Sequence, residues 1–425
     1  MRLPVWRGLI LMAVLSAGAS PTRAAAARLP HLSIENVVKD AEVIVRARVS
    51  GPNEVQVEEA LYGGVKPNDK IHVGLLSELA RVKYDQPPAG ANPPAGDSVE
   101  AGELMLFLHH GTPDHPLMPV GVGSGAKWIV GERVFGYRQL TPDAPYLLLP
   151  DRQAPTLAQL RAQLQAALAK RRRFEAALAL TDPAPKIAAL TPFISRAEQD
   201  AKPYPVYLFP AIEALYALGP AAGPPLRAAL VTARPGRPRQ ELIAALGDAR
   251  DPEAWPTLAP ILEASRAALR PLSGPLNPTT LSPAQRDALG DWHAALYALM
   301  RLGDVRGRGW FQDSLGWTLD HSSEFLVEYS LLGMEKTPDA GHVAPIRRTL
   351  AAIERFDPAD RSRIRVAALH ALGEQQQRDS APAIAPWLKD TDVTVRDAAH
   401  AALVRIAGAD LGTDAAAWLK WAGGN

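Results

Sequence analysis

The chain has no cysteine at any of its 425 positions. That excludes disulfide staples, thiol nucleophiles and the lipidated cysteine of an exported lipoprotein, so stability must come from packing alone. An excess of charge is missing too: 46 Lys and Arg stand against 45 Asp and Glu, a net charge of +1. Nucleic-acid binders carry a basic excess, so that class is disfavoured. Beyond the N-terminus no run of about eighteen apolar residues occurs, and stable membrane insertion is not expected. The chain also lacks a G-x-S-x-G elbow, a P-loop, an H-E-x-x-H pair and a dinucleotide-binding glycine fingerprint.

What is present belongs to a folded globular protein: 47% hydrophobic and 21% charged residues, at a length that allows two or three domains. The first residues have the form of an export signal. Arg2 and Arg7 precede an apolar stretch from Leu9 to Ala19, and Ala24-Ala25-Ala26-Ala27 offers a small-residue cleavage site. Residues 1–27 are therefore predicted to be a signal peptide, and the mature protein to be periplasmic or secreted. Loss of Arg2, Arg7 and Arg23 would leave a net charge of −2.

From Ser33 to about Pro150 the hydrophobic period is two. Ser33 can cap a short helix ending at Asp40. Val43, Val45, Ala47 and Val49 then share one face of a strand, with Ile44, Arg46 and Arg48 on the other. Glu54–Leu61, Ile71–Leu76, Glu103–Leu108 and Tyr146–Leu149 read as further strands, and Lys127–Val134 as a hairpin around Gly131. The Pro- and Gly-rich stretch 86–96 reads as a surface loop. Short strands punctuated in this way predict a small barrel or sandwich over residues 28–150.

From about Thr156 the period becomes 3.6. Leu157, Leu160, Leu164 and Leu168 align on one helical face, and Lys170-Arg171-Arg172-Arg173 reads as the basic last turn of that helix. Residues 151–202 are taken as a helical connector. Beyond them one phrase recurs. Ile364-Arg365-Val366-Ala367-Ala368-Leu369-His370-Ala371-Leu372 returns 31 positions later as Val395-Arg396-Asp397-Ala398-Ala399-His400-Ala401-Ala402-Leu403. Looser copies end at Gly219, Gly247, Gly303 and Gly333. A fixed period near thirty marks stacked helical repeats over residues 203–425. The phrase-ending glycine is expected to take the left-handed conformation that ends a helix. Ser282-Pro283, Asp357-Pro358, Asp251-Pro252 and Asp392 are expected N-caps. The fold class is thus α+β multidomain, a small β-barrel followed by an α-helical solenoid.

Two resemblances attach to these residues. Asp40 to Val49, Val55 to Gly64 and Gly102 to Leu108 together resemble the netrin-type or metalloproteinase-inhibitor-like OB barrel. Animal members of that class chelate a protease's metal with an opening cysteine, and here there is none. Asp390-Thr391-Asp392-Val393-Thr394-Val395-Arg396-Asp397 resembles HEAT-like repeats of the phycobilisome-lyase type. That resemblance implies that Arg365, Arg396 and Arg239 reach towards acidic caps, with Asp360, Asp390 and Asp392 as partners. Trp418 and Trp421 resemble the W-x-x-W end of such arrays and would cover the open end of the stack.

Solenoids chiefly bind other molecules. The expected function is a non-enzymatic scaffold for a protein partner, with no catalytic residue, metal or cofactor. Trp255, Arg266, Trp310, Trp317, Arg347, Arg348, Trp387 and Lys389 fall in or near the second helices and are the candidate partner-binding residues, because Trp and Arg dominate interface hot spots. One alternative is a metal-dependent accessory enzyme built on His109, His110, Asp114 and His115, although adjacent strand residues point to opposite faces. Another is an inhibitor of an exported protease.

Overall fold

The structure is a computed structural model and describes residues 32–74, 76, 83–84, 103–112, 115–120, 125–138, 147–151, 154–201, 205–273, 279–321 and 326–424. Residues 1–27, expected to be an export signal, the stretch 86–96 expected to be a loop, and Asp114 lie outside the described residues. The chain divides into two compact units, with the change near Leu180.

The first unit is built on an antiparallel sheet of β1 (Val43–Gly51), β2 (Glu54–Tyr62), β3 (Lys70–His72), β4 (Lys83–Tyr84), β5 (Glu103–Thr112), β6 (His115–Pro119), β7 (Ala126–Val130), β8 (Arg133–Arg138) and β9 (Leu147–Pro150). Strand order is β3-β2-β1-β5-β7-β8-β9-β4, with β6 pairing β5 off this path and β4 joining β9 in parallel. The alternation in β1 separates two cores. Val43, Val45 and Ala47 join Leu104, Leu106 and Trp128 on one side of the sheet. Ile44 joins Met105, Phe107 and Ile129 on the other. Helix α1 (Ile34–Asp40), capped by Ser33, and α2 (Leu157–Ala179), capped by Thr156, cover this second side. Gly131 turns the β7–β8 hairpin with φ of 57°.

The expected closed barrel is not formed. Closure requires the two edges of a sheet to share a ladder with matched tilt and stagger. Here the path ends in strands of three and two residues, and among the described residues β3 pairs only with β2. One backbone hydrogen bond, from Gly74 N–H to the Leu117 carbonyl (2.9 Å), links the end of β3 to β6. Pro116 and Pro119 in β6 have no N–H to extend it.

The basic run Lys170–Arg173 is not a last turn, because α2 continues to Ala179. Its cations reach α1 instead. Arg171 donates to the carbonyls of Val38 (2.6 Å) and Ala41, which close the C-terminal end of α1, and Lys170 pairs with Glu35 at 2.5 Å. Orphan carbonyls and the negative end of α1's dipole are satisfied together. On the helix-covered side, the face it shares with Ile129, Lys127 on β7 is buried against Asp151 at 2.6 Å, and Asp151 also accepts from Ala154 N–H at 2.9 Å.

The second unit is helical. Two short helices, α3 (Pro183–Leu190) and α4 (Arg196–Gln199), lead into six phrase helices: α5 (Leu208–Tyr216), α7 (Arg237–Asp248), α9 (Pro283–Leu302), α11 (Val327–Lys336), α13 (Pro358–Gln375) and α15 (Val393–Ala407). Each is followed by a second helix: α6 (Gly223–Thr232), α8 (Trp255–Leu269), α10 (Arg308–His321), α12 (Val343–Ala351), α14 (Ala381–Ile384, continued by a 3-10 turn to Lys389) and α16 (Ala415–Gly423). Phrase helices pack in sequence, α5 on α7, α7 on α9, and so on to α15. Each intervening helix packs on the phrase helix after it. This is a two-layer stack, the arrangement of a helical repeat.

The glycines divide into two kinds. Gly303, with φ of 64°, is the left-handed C-cap of α9 as expected, whereas Gly219, with φ of 72°, lies beyond the Ala217 C-cap of α5 and opens the next 3-10 turn. Gly247, Gly333 and Gly373 instead lie within helices. A Cβ on Gly247 would meet Ala298 Cα at 2.5 Å, and one on Gly373 would meet Ala402 Cα at 2.9 Å. Gly247 and Gly373 admit the close approach of a neighbouring phrase helix, and Gly333 admits the Phe311 ring of α10; none of the three ends a helix. Ser282, Asp357 and Asp392 cap as expected. Asp251 does not, since α8 starts at Trp255; it organises the preceding turn and pairs with Arg227. Trp418 is fully buried on α16, donates from Nε1 to the Gly412 carbonyl (2.7 Å), and meets Trp421 edge-on at 6.2 Å.

Candidate functional site

The second helices carry the sequence-predicted residues, and their indole rings find guanidinium partners. Trp255 at the start of α8 is half-buried beneath Arg306, whose guanidinium carbon is 5.3 Å from the ring. Trp310 on α10 lies under Arg266 of α8 at 5.6 Å, and Arg266 also pairs with Asp313 at 2.9 Å. Trp387 lies under Arg365 of α13 at 5.0 Å. Two more pairs extend the pattern, Arg237 over Phe209 at 4.9 Å and Arg378 over Trp421 at 4.9 Å. A desolvated cation over an aromatic face contributes up to about 2 kcal/mol, and partly exposed pairs less.

The remaining candidates diverge. Trp317 meets Trp292 at 5.2 Å and stacks on His321 at 4.2 Å, so its ring is engaged between α9 and α10. Arg347 is drawn to the next repeat, pairing with Asp379 at 3.2 Å and donating to its carbonyl. Arg348 and Lys389 are exposed and form no ion pair among the described residues. The structure thus brings Arg266 and Trp310 together and leaves the other candidates in separate neighbourhoods. Sequence reasoning missed Arg306, Arg365 and Arg378 as ring partners. Arg306 and Arg378 stand at the start of a 3-10 turn and Arg365 lies two turns into α13, but which ring each reaches depends on the stack.

The inter-repeat ion pairs run along the phrase helices. Arg239 of α7 meets Asp291 of α9 at 3.2 Å, and Arg301 returns to Asp248 at 3.1 Å, where the Tyr297 hydroxyl also donates at 2.7 Å. Further along, Glu328 pairs with Arg363 and Glu374 with Arg405. Arg365 reaches Asp390 at 3.4 Å. Arg396 does not reach a neighbour's carboxylate; it donates to the carbonyls of Asp390 (2.7 Å) and Thr391 (3.0 Å). Burial pushes the Asp291 carboxyl up to about 6, against the pull of Arg239. Burial likewise pushes His293 down to about 4.

In the sheet unit, His110 donates from its backbone N–H to Glu42 at 2.6 Å, and its imidazole meets the same carboxylate. These hydrogen bonds hold the Glu42 carboxyl below its usual range. His109 Nδ1 contacts the His110 carbonyl at 2.8 Å. The two imidazoles therefore serve different partners. Among the described residues no three His, Asp or Glu side chains converge as metal ligands would. His370 and His400 stand one position out of register in the 31-residue phrase, and both reach the surface: His370 is exposed, and His400 Nε2 bonds Asp410 at 2.8 Å. No helix among the described residues is long and apolar enough to cross a membrane.

No protein-family model matches the chain, and no curated protein matches it.

Proposed function

We propose that the protein is an exported, non-enzymatic scaffold whose HEAT-like stack holds a protein partner on the surface of its second helices. The observation that carries this reading is the series of half-buried Trp rings, each faced by an Arg: Trp255 with Arg306, Trp310 with Arg266, and Trp387 with Arg365. Such a ring offers a large rigid apolar surface at little entropic cost, and the guanidinium leaves N–H donors for a partner's carbonyls and carboxylates. Exposed Arg348 and Lys389 add unpaired positive charge on the same set of helices. A stack in which each helix contacts its neighbours can extend such a surface by repetition.

Amine-reactive crosslinking in the intact cell envelope, read by mass spectrometry, tests this proposal. Crosslinks from Lys389 to one protein are expected, and Trp387→Ala should reduce them roughly tenfold or more. Crosslinks that are unchanged by Trp387→Ala and Trp310→Ala together would overturn it.

A further inference from the structure

Helices α11 and α13 leave a groove of about 390 Å³ between them. Glu328, Leu332 and Glu335 line it from α11, and Arg363, Val366 and His370 from α13. One end is electrically closed, because Glu328 is paired with Arg363, which also holds Asp360. The floor is aliphatic, formed by Leu332 and Val366.

The other end is different. Glu335 is half-buried there and makes no hydrogen bond or ion pair among the described residues. The charged and titratable groups around it are Lys336 on its own helix, His370 and Glu374 on α13, and Arg405 on α15. Glu374 and Arg405 are bonded to each other. Burial pushes the Glu335 carboxyl upwards, which outweighs the opposing pull of His370. Among the described residues no cation bonds this carboxylate directly, and the more distant Lys336, His370 and Arg405 offset its lost hydration only in part.

We propose that this groove binds a lysine side chain of a peptide segment, its methylenes on Leu332 and Val366 and its ammonium on Glu335. Leu332 and Glu335 are separated by about 4.5 Å along the helix axis, a span that a four-carbon stem covers. Long cationic side chains bury the stem and keep the charged head at a polar rim, and the groove has that division. The inference rests on the scaffold reading only in taking the ligand to be a peptide. It uses phrase helices, not the Trp-bearing second helices.

The test is saturation-transfer NMR at neutral pH on the full chain, with the probe acetyl-Gly-Gly-Lys-Gly-Gly-amide. Transfer to the lysine methylenes is expected with the wild type. It should persist in Trp387→Ala, which alters the other surface, and in Glu263→Gln, which removes an exposed acid on α8. Affinity should fall roughly tenfold or more in Glu335→Gln and in Val366→Phe, which fills the floor. The same peptide carrying Nε-acetyl-lysine should give no transfer. No transfer with the wild type, equal transfer with the acetylated probe, or full binding by Glu335→Gln would each overturn the proposal. Should Glu335→Gln fail to fold, the acetylated probe and Val366→Phe decide. Because Trp387→Ala is among the samples, loss of the Trp surface and loss of the groove are read separately.

Discussion

The two units bury charge in different ways. In the sheet unit one pair among the described residues, Lys127 and Asp151, lies fully between layers with each side chain 2% exposed, beside rim pairs such as Arg48 with Glu58. In the helical stack the pairs are many and mostly at the rim, such as Glu374 with Arg405, whose side chains are 26% and 52% exposed. An ion placed between a sheet and the helices that cover it has no access to water. A stack of helices has an interface at every step, and each has an edge where an Arg can keep its head solvated. The sheet unit therefore adds to its rim pairs one contact that cannot lose a partner cheaply, whereas the stack spreads its ion pairs over many interfaces.

The largest effect should come from the sheet. Asp151→Ala leaves the Lys127 ammonium buried without its partner, and a loss of about 3–5 kcal/mol is expected. Urea unfolding should show the sheet unit melting well before the helices, and coincident melting of both units would break the contrast.

Asp291 is one of the nearly buried carboxylates of the stack, with Asp248, Asp251 and Asp390, and the one that burial moves furthest. Its folded pKa of about 6 lies above the ordinary 3.8, so the folded state takes up a proton that the unfolded state does not between those values. Stability from this group is present at low pH and lost as pH rises through about 6. On the order of 2–3 kcal/mol is at stake. Asp291→Asn should flatten the pH dependence between about 4 and 6 relative to wild type. An unchanged slope would show that Arg239 already neutralises it.

The smaller effects test the repeat interfaces. Gly247→Ala should destabilise by about 1–3 kcal/mol, since its Cβ meets Ala298. Gly316→Ala, on α10 with nothing within 4 Å of the new Cβ, should stabilise by roughly 0.5–1 kcal/mol. Thermal melts of the two variants should move in opposite directions. Movement in the same direction would mean that helix propensity, and not helix approach, sets these positions.

The same contrast explains what was legible in the sequence. Alternation in β1 and the Gly131 turn are local signals, and both strands and turn form where they pointed. Barrel closure is a property of distant edges, and nothing in the alternation encodes whether β3 meets a partner. Strand β6 escaped notice because Pro116 and Pro119 argue against a strand, although an edge position tolerates them. The repeat was legible from Ile364 and Val395 because it lies in the spacing itself. The role of Gly247 and Gly373 was not, since a glycine that ends a helix and one that admits a neighbouring helix look alike in sequence. The α11–α13 groove was hidden for a related reason. Glu328, Leu332 and Glu335 share one face by spacing alone, as do Val366 and His370, but only the stack brings the two faces together.

Hydrogen exchange on Trp418→Ala tests the stack most directly. If the helical unit is a chain of nearest-neighbour interfaces, losing its terminal Trp should expose α15 and α16 first. Amide protection should fall there, decline less in α13, and stay at wild-type values in α5 and α7. Uniform loss of protection from α5 to α16 would contradict the account, because it would mean that the helices fold as one globule and not as a stack.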